Sequence, residues 1–497
     1  MTEGAPLKMR RASLLIREEA MDTPLNRIFC VIAAAVTLAI TAAACLSGGW
    51  GVLAAAAVCS AALVVIALLI RRAPEPRFIA GMAIVIVVTL IPRAAAIIAY
   101  PVVTDPVHDF GTYYRVAECL ANGSELVKNS GHLFPHIFFF ASALSVPFSV
   151  FGASVAAYQI CGLVLSTVTA VLLYMTVRLL RGGRAAMLAA LLFALSPAAV
   201  LYAPLCCGEH LAMALLTLGM YIIARISKKH PQHVWSAVLW GALLGAVLLA
   251  LELVRPVAIV PVIALVLAWC AVRKGKGKLP FARAGALLLA LAAVFVGGRE
   301  AALCGAEAVL EKPVAHSSTS FTLLVGSNAA SSGSWNEEDS EFFRAAVADY
   351  DYKSGDAVVR REVLSRYRAL GAVGTARLFA VKSAHTWGGQ SSVLDYLVQY
   401  SAGDNALLRG RFFSLTSFLC RGYGVALVLL AAVAAVRGFK NGCPAPVMTA
   451  MLAVLGYVCM FMLSEAAGRY SLIALPLLGI FVPGGFFVNI SLDKRRQ

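Results

Sequence analysis

The sequence predicts an all-α polytopic membrane protein with about 12 transmembrane helices, outer-face interfacial helices and a modest α-rich outer segment. Three observations predict this class. Of the 497 residues, 60% are apolar and only 14% are charged. The mean hydropathy is +0.81, and apolar runs long enough for a bilayer core of about 30 Å recur along the chain. This composition excludes a soluble globule with a polar surface.

Twelve apolar runs are candidate spans. They lie near residues 28–46, 51–70, 78–99, 155–177, 186–204, 211–226, 234–253, 257–272, 281–299, 416–436, 446–464 and 471–490. Seven basic clusters flank these runs, around Lys8–Arg27, Arg71–Arg77, Arg178–Arg184, Arg225–Lys229, Arg273–Arg283, Arg437–Lys440 and Lys494–Arg496. All seven fall on one side of the membrane if both termini are cytoplasmic, as the positive-inside rule requires. We therefore expect a multi-pass plasma-membrane protein whose two long loops are extracytoplasmic.

The apolar stretch 133–151 is not counted among the spans. Counting it would place the cluster around Arg178 outside and invert every later loop. Pro135, His136 and Pro147 in this stretch and His132 at its edge suit an interfacial helix or a re-entrant segment better.

These boundaries predict five regions. A cytoplasmic tail with three spans occupies residues 1–99, and the first outer loop occupies 100–154. A six-span core follows over 155–299, then a second outer segment over 300–415, which we expect to act as a lid or acceptor platform. Three spans and a basic tail complete the chain over 416–497. Loops as long as the two outer segments usually carry function.

Two acids at the predicted outer face are the strongest candidate catalytic residues. Asp109 opens a helix-like run in the first outer loop, and Glu209 lies in the short connector LCCGEH between two spans. Asp109 also suits a helix N-cap, and Glu209 also suits a solvated loop. We expect a partly apolar interface to raise the pKa of Asp109 above its usual value of about 3.9. His108 and His210, each beside one acid, are candidate substrate contacts.

Three arginines at predicted outer helix ends are candidate phosphate ligands, because the guanidinium fork matches phosphate geometry. They are Arg93, Arg255 and Arg469. The alternative for the last two is local pairing, with Glu252 and Glu465 respectively, and snorkelling explains any one of the three.

Aromatic and polar residues supply further candidates. Tyr113 and Tyr114 each suit either core packing or contact with the acceptor. Trp335 could stack on a sugar and Asn336 could hydrogen-bond to it. The acidic residues that follow, Glu337, Glu338 and Asp339, favour a solvated face. The twelve cysteines show no zinc-site spacing. The basic residues are split among loops rather than gathered on one domain, so they do not imply nucleic-acid binding.

The order of these features resembles the GT-C class of membrane glycosyltransferases, particularly the bacterial relatives of protein O-mannosyltransferases and aminoarabinose transferases (glycosyltransferase family 39-like). The matching segments are HDFGTYYRVAECLANG, FPHIFFFASALSVPFSVFGAS and ALSPAAVLYAPLCCGEHLAMALL, followed by LVRP, SGSWNEED and EAAGRY. Two extra spans before the first outer loop and an unclassified second outer segment depart from the pattern.

The resemblance implies a GT-C-like fold and an inverting hexosyl- or pentosyltransferase. Its donor would be a polyprenyl-phosphate-linked sugar, and its acceptor a cell-envelope glycan, lipid or protein. Asp109 matches the position of the general base, and Glu209 matches the second acid. Metal dependence differs within the class, so no metal ligand is assigned, and the sequence does not require a divalent metal. Membrane lipid is the other expected partner, and nucleic acid is not expected.

Three other functions fit a polytopic membrane protein. A transporter or lipid flippase would show internal repeats or mid-span charges, whereas here the charged residues gather at the predicted outer surface. A surface-polysaccharide polymerase or ligase would centre on a large late loop, which the 300–415 segment could supply. The third alternative is a non-catalytic assembly protein.

Overall fold

The computed structural model describes residues 23–104, 109–124, 126, 130–271, 279–348 and 352–487. These residues form an all-helical protein, in which the only strand-like pairing is a single bridge between Val102 and Ser401. The helices are α1 Pro24–Arg72, α2 Phe78–Ala99, α3 Asp109–Asn122, α4 Pro135–Phe151, α5 Val155–Arg181, α6 Gly183–Ala194, α7 Pro197–Leu201, α8 Glu209–Lys228, α9 Val234–Val254, α10 Ile259–Ala271, α11 Phe281–Leu310, α12 Thr319–Ser327, α13 Glu337–Ala346, α14 Tyr352–Gly388, α15 Val393–Gln399, α16 Gly410–Asn441, α17 Ala445–Leu463 and α18 Leu475–Phe481. Short 3-10 helices lie at Ser130–His132, Gln390–Ser392, Ala406–Leu408, Gly468–Ala474 and Val482–Gly485.

Among the described residues, nine helical stretches are long and apolar enough to cross a membrane. They are α1, α2, α5, α8, α9, α11, α16, α17 and the stretch Gly468–Gly485. Helix α1 has 49 residues and a break at Gly49, where φ is 66°. At 1.5 Å per residue it is about 73 Å long, more than twice a bilayer core of about 30 Å. Gly49 therefore divides it into two stretches that match the first two predicted spans.

The predicted fold class, a polytopic all-α membrane protein, is confirmed, but three predicted spans have a different local form. The run 186–204 is divided between α6 and α7, because Pro197 begins a new helix at its N1 position. The run 257–272 contains the 13-residue helix α10, and the last run is a 3-10, α and 3-10 succession over Gly468–Gly485. The figure of about twelve crossings stays a prediction for these shorter helices.

The first outer loop contains α3 and α4, which pack against each other. Helix α4 begins with Pro135 at a first-turn position and ends at Gly152, where φ is 80°. Its 17 residues are apolar, and its placement at the membrane interface stays a prediction.

The second outer segment is α-rich and begins inside α11, which continues to Leu310, beyond the predicted end of its span. Helices α12, α13 and α14 form a small separate core around Phe321, Leu324 and Phe343. Phe134 of the first loop packs on it, with ring centroids 5.2 Å from Phe321. Helix α14 bends at Gly371 (φ 63°) and also packs against α1, α16 and α17. The outer segment thus rests on the membrane helices and on the first outer loop.

Candidate active site

Asp109 is the first residue of α3, and its position is set by the second outer segment. The hydroxyl of Tyr400 accepts hydrogen bonds from the backbone amides of Phe110 (3.1 Å) and Gly111 (3.3 Å). The first turn of a helix leaves such amides without an intrahelical partner. Tyr400 therefore anchors the amino end of α3 beside α15, and the Asp109 side chain stays 56% exposed.

The Asp109 carboxylate is paired with Arg469, which lies 360 residues later in the chain. Arg469 Nη2 donates to Asp109 Oδ2 at 2.7 Å. The guanidinium carbon also lies 5.5–5.8 Å from the ring centroids of Tyr470, Tyr396 and Phe110. Within the described chain, Nε and Nη1 of this buried arginine have no hydrogen-bond partner. The ion pair therefore leaves part of the hydrogen-bonding capacity of Arg469 unused within the described residues.

Glu209 and Arg255 form a second pair beside the first. Glu209 is the first residue of α8 and is 5% exposed, and its Oε1 accepts from Arg255 Nη2. Its other oxygen, Oε2, is buried and has no partner among the described residues. Arg255 lies 5.8 Å from the ring centroid of Tyr470, so that this ring contacts both guanidinium groups.

The local ion pairs considered from the sequence are replaced by these long-range pairs. Glu252, three residues before Arg255, accepts from the backbone amide of Ala258 at 2.9 Å. Glu465, four residues before Arg469, accepts from the Tyr470 hydroxyl at 2.7 Å. Each arginine therefore pairs with one of the two acids singled out from the sequence.

The charges around Asp109 keep it ionised. Burial raises the pKa of Asp109, but the charge and hydrogen bond of Arg469 and the charge of nearby Arg255 outweigh burial, so the pKa lies below its usual value. The expectation of a raised pKa was wrong, because it took no account of an arginine at hydrogen-bond distance. In the absence of a ligand, Asp109 is a stable carboxylate and a weak base.

Two further titratable groups of this site were missed by sequence reasoning. Burial raises the pKa of Glu465, although Arg469 and the Tyr470 hydrogen bond oppose this. Burial and then the charge of Arg255 lower the pKa of His136 to about 3, so its imidazole is neutral. The sequence offers Glu465 only as an alternative local partner of Arg469, and His136 only as a sign of an interfacial helix. The site thus holds one carboxyl with a lowered pKa and one with a raised pKa, an arrangement often found where proton transfer occurs.

The other predicted contacts divide between the site and its surroundings. Tyr113 is 4% exposed and its ring centroid lies 5.3 Å from that of Phe140. Burial raises the pKa of Tyr113 to about 12, and Arg255 and Asp109 also act on it, which places it at the site. Tyr114 instead packs against Phe148, with ring centroids 5.2 Å apart.

His210 is satisfied within the helices. It lies 3.1 Å from the Ser166 hydroxyl and 3.2 Å from the Tyr202 carbonyl. His108 lies outside the described residues. The described chain contains no group of three or more His, Cys, Asp or Glu residues that could hold a metal ion, and all twelve cysteines are free thiols.

Trp335 and Asn336 lie in the outer segment. Trp335 is 55% exposed, which leaves its ring open to a ligand. Asn336 caps α13 by accepting from the Asp339 amide at 2.9 Å. Asp339 is fully buried and bonded to Arg366 at 2.7 Å, so the expectation that it belongs to a solvated face was wrong. Glu337 and Glu338 are exposed, as expected.

Arg93 is fully buried in the helical core. Its Nη1 donates to the carbonyls of Thr89 (3.1 Å) and Ala194 (3.0 Å), and its guanidinium lies 5.1 Å from the Phe193 ring centroid. Ala194 is the last residue of α6, so Arg93 bonds a carbonyl that the break before Pro197 leaves without an intrahelical partner. A structural contribution follows directly from these contacts, while phosphate binding by Arg93 stays a prediction.

The arrangement joins a carboxylate, two guanidinium groups and aromatic side chains at one end of the helices. Residues 135–297 match the profile of a family described as dolichyl-phosphate-mannose-protein mannosyltransferase. The match spans 163 of the 497 residues, from α4 to α11, and includes Glu209 and Arg255. A search of curated proteins finds no match. Together with the helical membrane architecture, the family match supports assignment of this chain to the GT-C class of membrane glycosyltransferases.

Proposed function

We propose that this protein transfers a sugar from a polyprenyl-phosphate-linked donor to an extracytoplasmic acceptor, with Asp109 as the general base. The observation that carries the proposal is the contact of Asp109 with Arg469, whose Nε and Nη1 have no partner in the described chain. A base and a phosphate-binding cation are thereby held at one point. The matched family, whose description names a lipid-phosphate-linked sugar, supports this chemistry.

The proposed reaction is a single displacement. Asp109 removes the proton of the acceptor hydroxyl, whose oxygen attacks the anomeric carbon of the donor. The bond from that carbon to the phosphate oxygen breaks, the configuration inverts, and polyprenyl phosphate leaves. Arg469 and Arg255 stabilise the charge that develops on the phosphate.

Donor binding also prepares the base. The charge of Arg469 lowers the pKa of Asp109 in the structure, which weakens it as a proton acceptor. A donor phosphate bound at Nε and Nη1 of Arg469 partly neutralises that charge, so the pKa of Asp109 rises only when the donor is present. Glu209 holds Arg255 in place through the bond between its Oε1 and Arg255 Nη2.

The second outer segment is proposed to be the acceptor platform or lid. The Gly333 carbonyl accepts from the Ala466 amide at 2.8 Å, and the Ser334 hydroxyl donates to the Ala466 carbonyl at 3.3 Å. Ala466 lies just before the 3-10 helix that contains Arg469, and Tyr396 of α15 lies over that guanidinium. Trp335 is exposed beside these contacts. The basic clusters support an extracytoplasmic site and cytoplasmic termini.

The test compares donor consumption by membranes that contain wild-type protein or Asp109→Asn. Polyprenyl-phosphate mannose is the first donor to use, because the matched family's description names this sugar, and a pentose donor is the second. The amide keeps the size of the side chain but cannot act as a base, so a loss of 10²-fold or more is expected. Asp404→Asn is the matched control, since Asp404 pairs with Arg409 at an exposed position.

Loss of turnover in Asp109→Asn at normal yield, with activity retained in Asp404→Asn, supports the proposal. Retained turnover in Asp109→Asn would exclude Asp109 as the base and direct attention to His108 or Glu209. Movement of the donor across the membrane without its consumption would indicate a flippase instead.

A further inference from the structure

The end of the helix bundle opposite the candidate site contains an apolar groove. It lies between α8, α9, α10, α11 and α17 and has an empty volume of about 740 Å³, including its open mouth. Its lining includes Leu244, Leu265, Trp269 and Leu288.

The position of the groove follows from the course of α8. This helix begins at Glu209 in the candidate site and ends at Lys228, so its last turns lie at the opposite face of the bundle. The groove is lined by Ile223 and His230 at that end. It is also lined by residues at the end of α10 and at the beginnings of α11 and α17.

The depth of the groove matches one leaflet of a bilayer. Helix α9 begins at Val234, and the lining residue Leu244 lies ten residues further along it. At 1.5 Å per residue this is a depth of about 15 Å, which is half of a hydrocarbon core of about 30 Å. A groove of this depth, apolar almost throughout, fits the hydrocarbon chain of a lipid that enters from that leaflet.

The mouth of the groove is basic. Arg225, Lys228 and Lys229 lie at the end of α8, next to the lining residue His230. Arg283, beside the lining residue Ala284, donates to the Pro231 carbonyl at 2.9 Å. The sequence has no acidic residue at 210–251, 253–299 or 405–464, which are the segments that form the groove. These charges complement an anionic headgroup rather than a zwitterionic one.

We propose that the groove binds one anionic phospholipid of the leaflet opposite the candidate site. One acyl chain occupies the groove down to Leu244, and the phosphate lies against Lys228 and Arg283. This site is separate from the polyprenyl-phosphate site proposed at Asp109, and the proposal does not depend on the transfer reaction.

The test measures lipid binding to the full-length protein in phosphatidylcholine nanodiscs to which phosphatidylglycerol is added. One retained phosphatidylglycerol per protein, seen by native mass spectrometry, and a higher Tm are expected, since a ligand of the folded state stabilises it. Ala284→Phe fills the groove and should abolish both effects. Ala282→Phe, on the exposed side of the same helix turn, should abolish neither.

A charge variant tests the headgroup contact without altering the groove. The double substitution Lys228→Gln and Arg283→Gln should weaken phosphatidylglycerol binding by about 30-fold, since each basic residue near a phosphate contributes on the order of 1 kcal/mol. Asp109→Asn should leave this binding unchanged, which separates it from the donor site. Equal retention of phosphatidylcholine and phosphatidylglycerol by the wild type, preferential retention of polyprenyl phosphate, or unaltered binding by Ala284→Phe or by the charge variant would each overturn the proposal.

Discussion

Two aspartate–arginine pairs of equal length lie in different settings of this molecule. Asp339 and Arg366 join α13 to α14 in the second outer segment, and Asp109 and Arg469 join α3 to the 3-10 helix that follows α17. Both pairs have a nitrogen-to-oxygen distance of 2.7 Å. The distance therefore does not distinguish the roles of the two pairs. The hydrogen-bonding capacity that each pair has left does distinguish them.

The Asp339 pair is saturated. Arg366 binds one oxygen of Asp339, while the side chains of Asn328 (3.0 Å) and Asn336 (2.8 Å) donate to the other. Arg366 further donates to Glu362 and to the Leu324 carbonyl. A saturated buried pair holds local structure together and offers little to a ligand.

The Asp109 pair is not saturated. The Asp109 side chain is 56% exposed, and Arg469 retains two buried nitrogens without a partner in the described chain. Buried donors without partners are costly, and a bound phosphate would satisfy them. The difference between the two pairs supports a structural role for the first and the proposed ligand-binding role for the second.

Substitution of Arg469 should have the largest effect on transfer. Arg469→Ala removes the hydrogen-bond donors proposed to bind the phosphate, so kcat/KM for the lipid-linked sugar should fall by about 10²–10³-fold. Loss of one preorganised hydrogen-bond donor from an enzyme active site typically has an effect of this size. Arg469→Lys keeps the charge but not the fork and should lose less. Steady-state kinetics in nanodiscs measure both effects.

The same variant also tests the electrostatics of Asp109. Without the guanidinium, the pKa of Asp109 should rise, because Arg469 is the main cause that lowers it. The acidic limb of the pH–rate profile should then move to higher pH in Arg469→Ala. Equal and negligible effects of both substitutions would show that Arg469 only extends its charge to the membrane surface.

Disruption of the saturated pair should affect stability instead of chemistry. Asp339→Ala leaves Arg366 without its main partner. The free energy of unfolding should fall by about 3 kcal/mol, which is the lower end of the range for a broken buried ion pair. Tm should fall, while kcat/KM of the remaining folded protein should stay near wild type. Glu337→Gln, which removes the exposed partner of Arg344, is the matched control and should change Tm little. A large loss of kcat/KM in folded Asp339→Ala would contradict the division between the two pairs.

The sequence predicted the fold class better than it predicted the contacts among the candidate site residues. Apolar runs identify spans because the bilayer sets their length, and Pro197 explains why one predicted run is divided. The end of a span places a residue at a membrane face, so the sequence could indicate that Asp109, Glu209, Arg255 and Arg469 share a level. It could not indicate their partners, since Asp109 and Arg469 are 360 residues apart.

Local patterns were misleading wherever tertiary contacts replaced local ones. The spacing of Glu465 and Arg469 favours an ion pair on one helix, but these residues lie in a loop and a 3-10 helix, where that spacing has no such meaning. Asp339 follows two exposed glutamates in sequence, yet Arg366, 27 residues later, buries it. Both cases concern the choice of partner, which depends on chain packing.

The smallest effect on stability is expected from a substitution of Lys382, which lies where the second outer segment meets the loop that contains Glu465. Lys382 lies on α14 with Arg366, is fully buried, and donates to the Gly326 carbonyl at 2.7 Å. Burial lowers the pKa of Lys382 from 10.5 to about 7, opposed by the charge of Glu465 in the loop before Arg469. Between these pH values the unfolded chain binds more protons than the folded one, so stability should rise with pH from about 7 to 10.5.

Lys382→Met keeps an unbranched side chain of similar length and removes the titratable amino group. Its Tm should therefore rise less steeply than that of the wild type between pH 7 and pH 9, in the same buffer series. Lys353→Met, at an exposed position of the same helix, should retain the wild-type slope and serves as the control. Identical slopes for wild type and Lys382→Met would show that the lysine stays protonated in the folded state. Its charge would then be a permanent feature of the contact between the outer segment and the loop that carries Glu465.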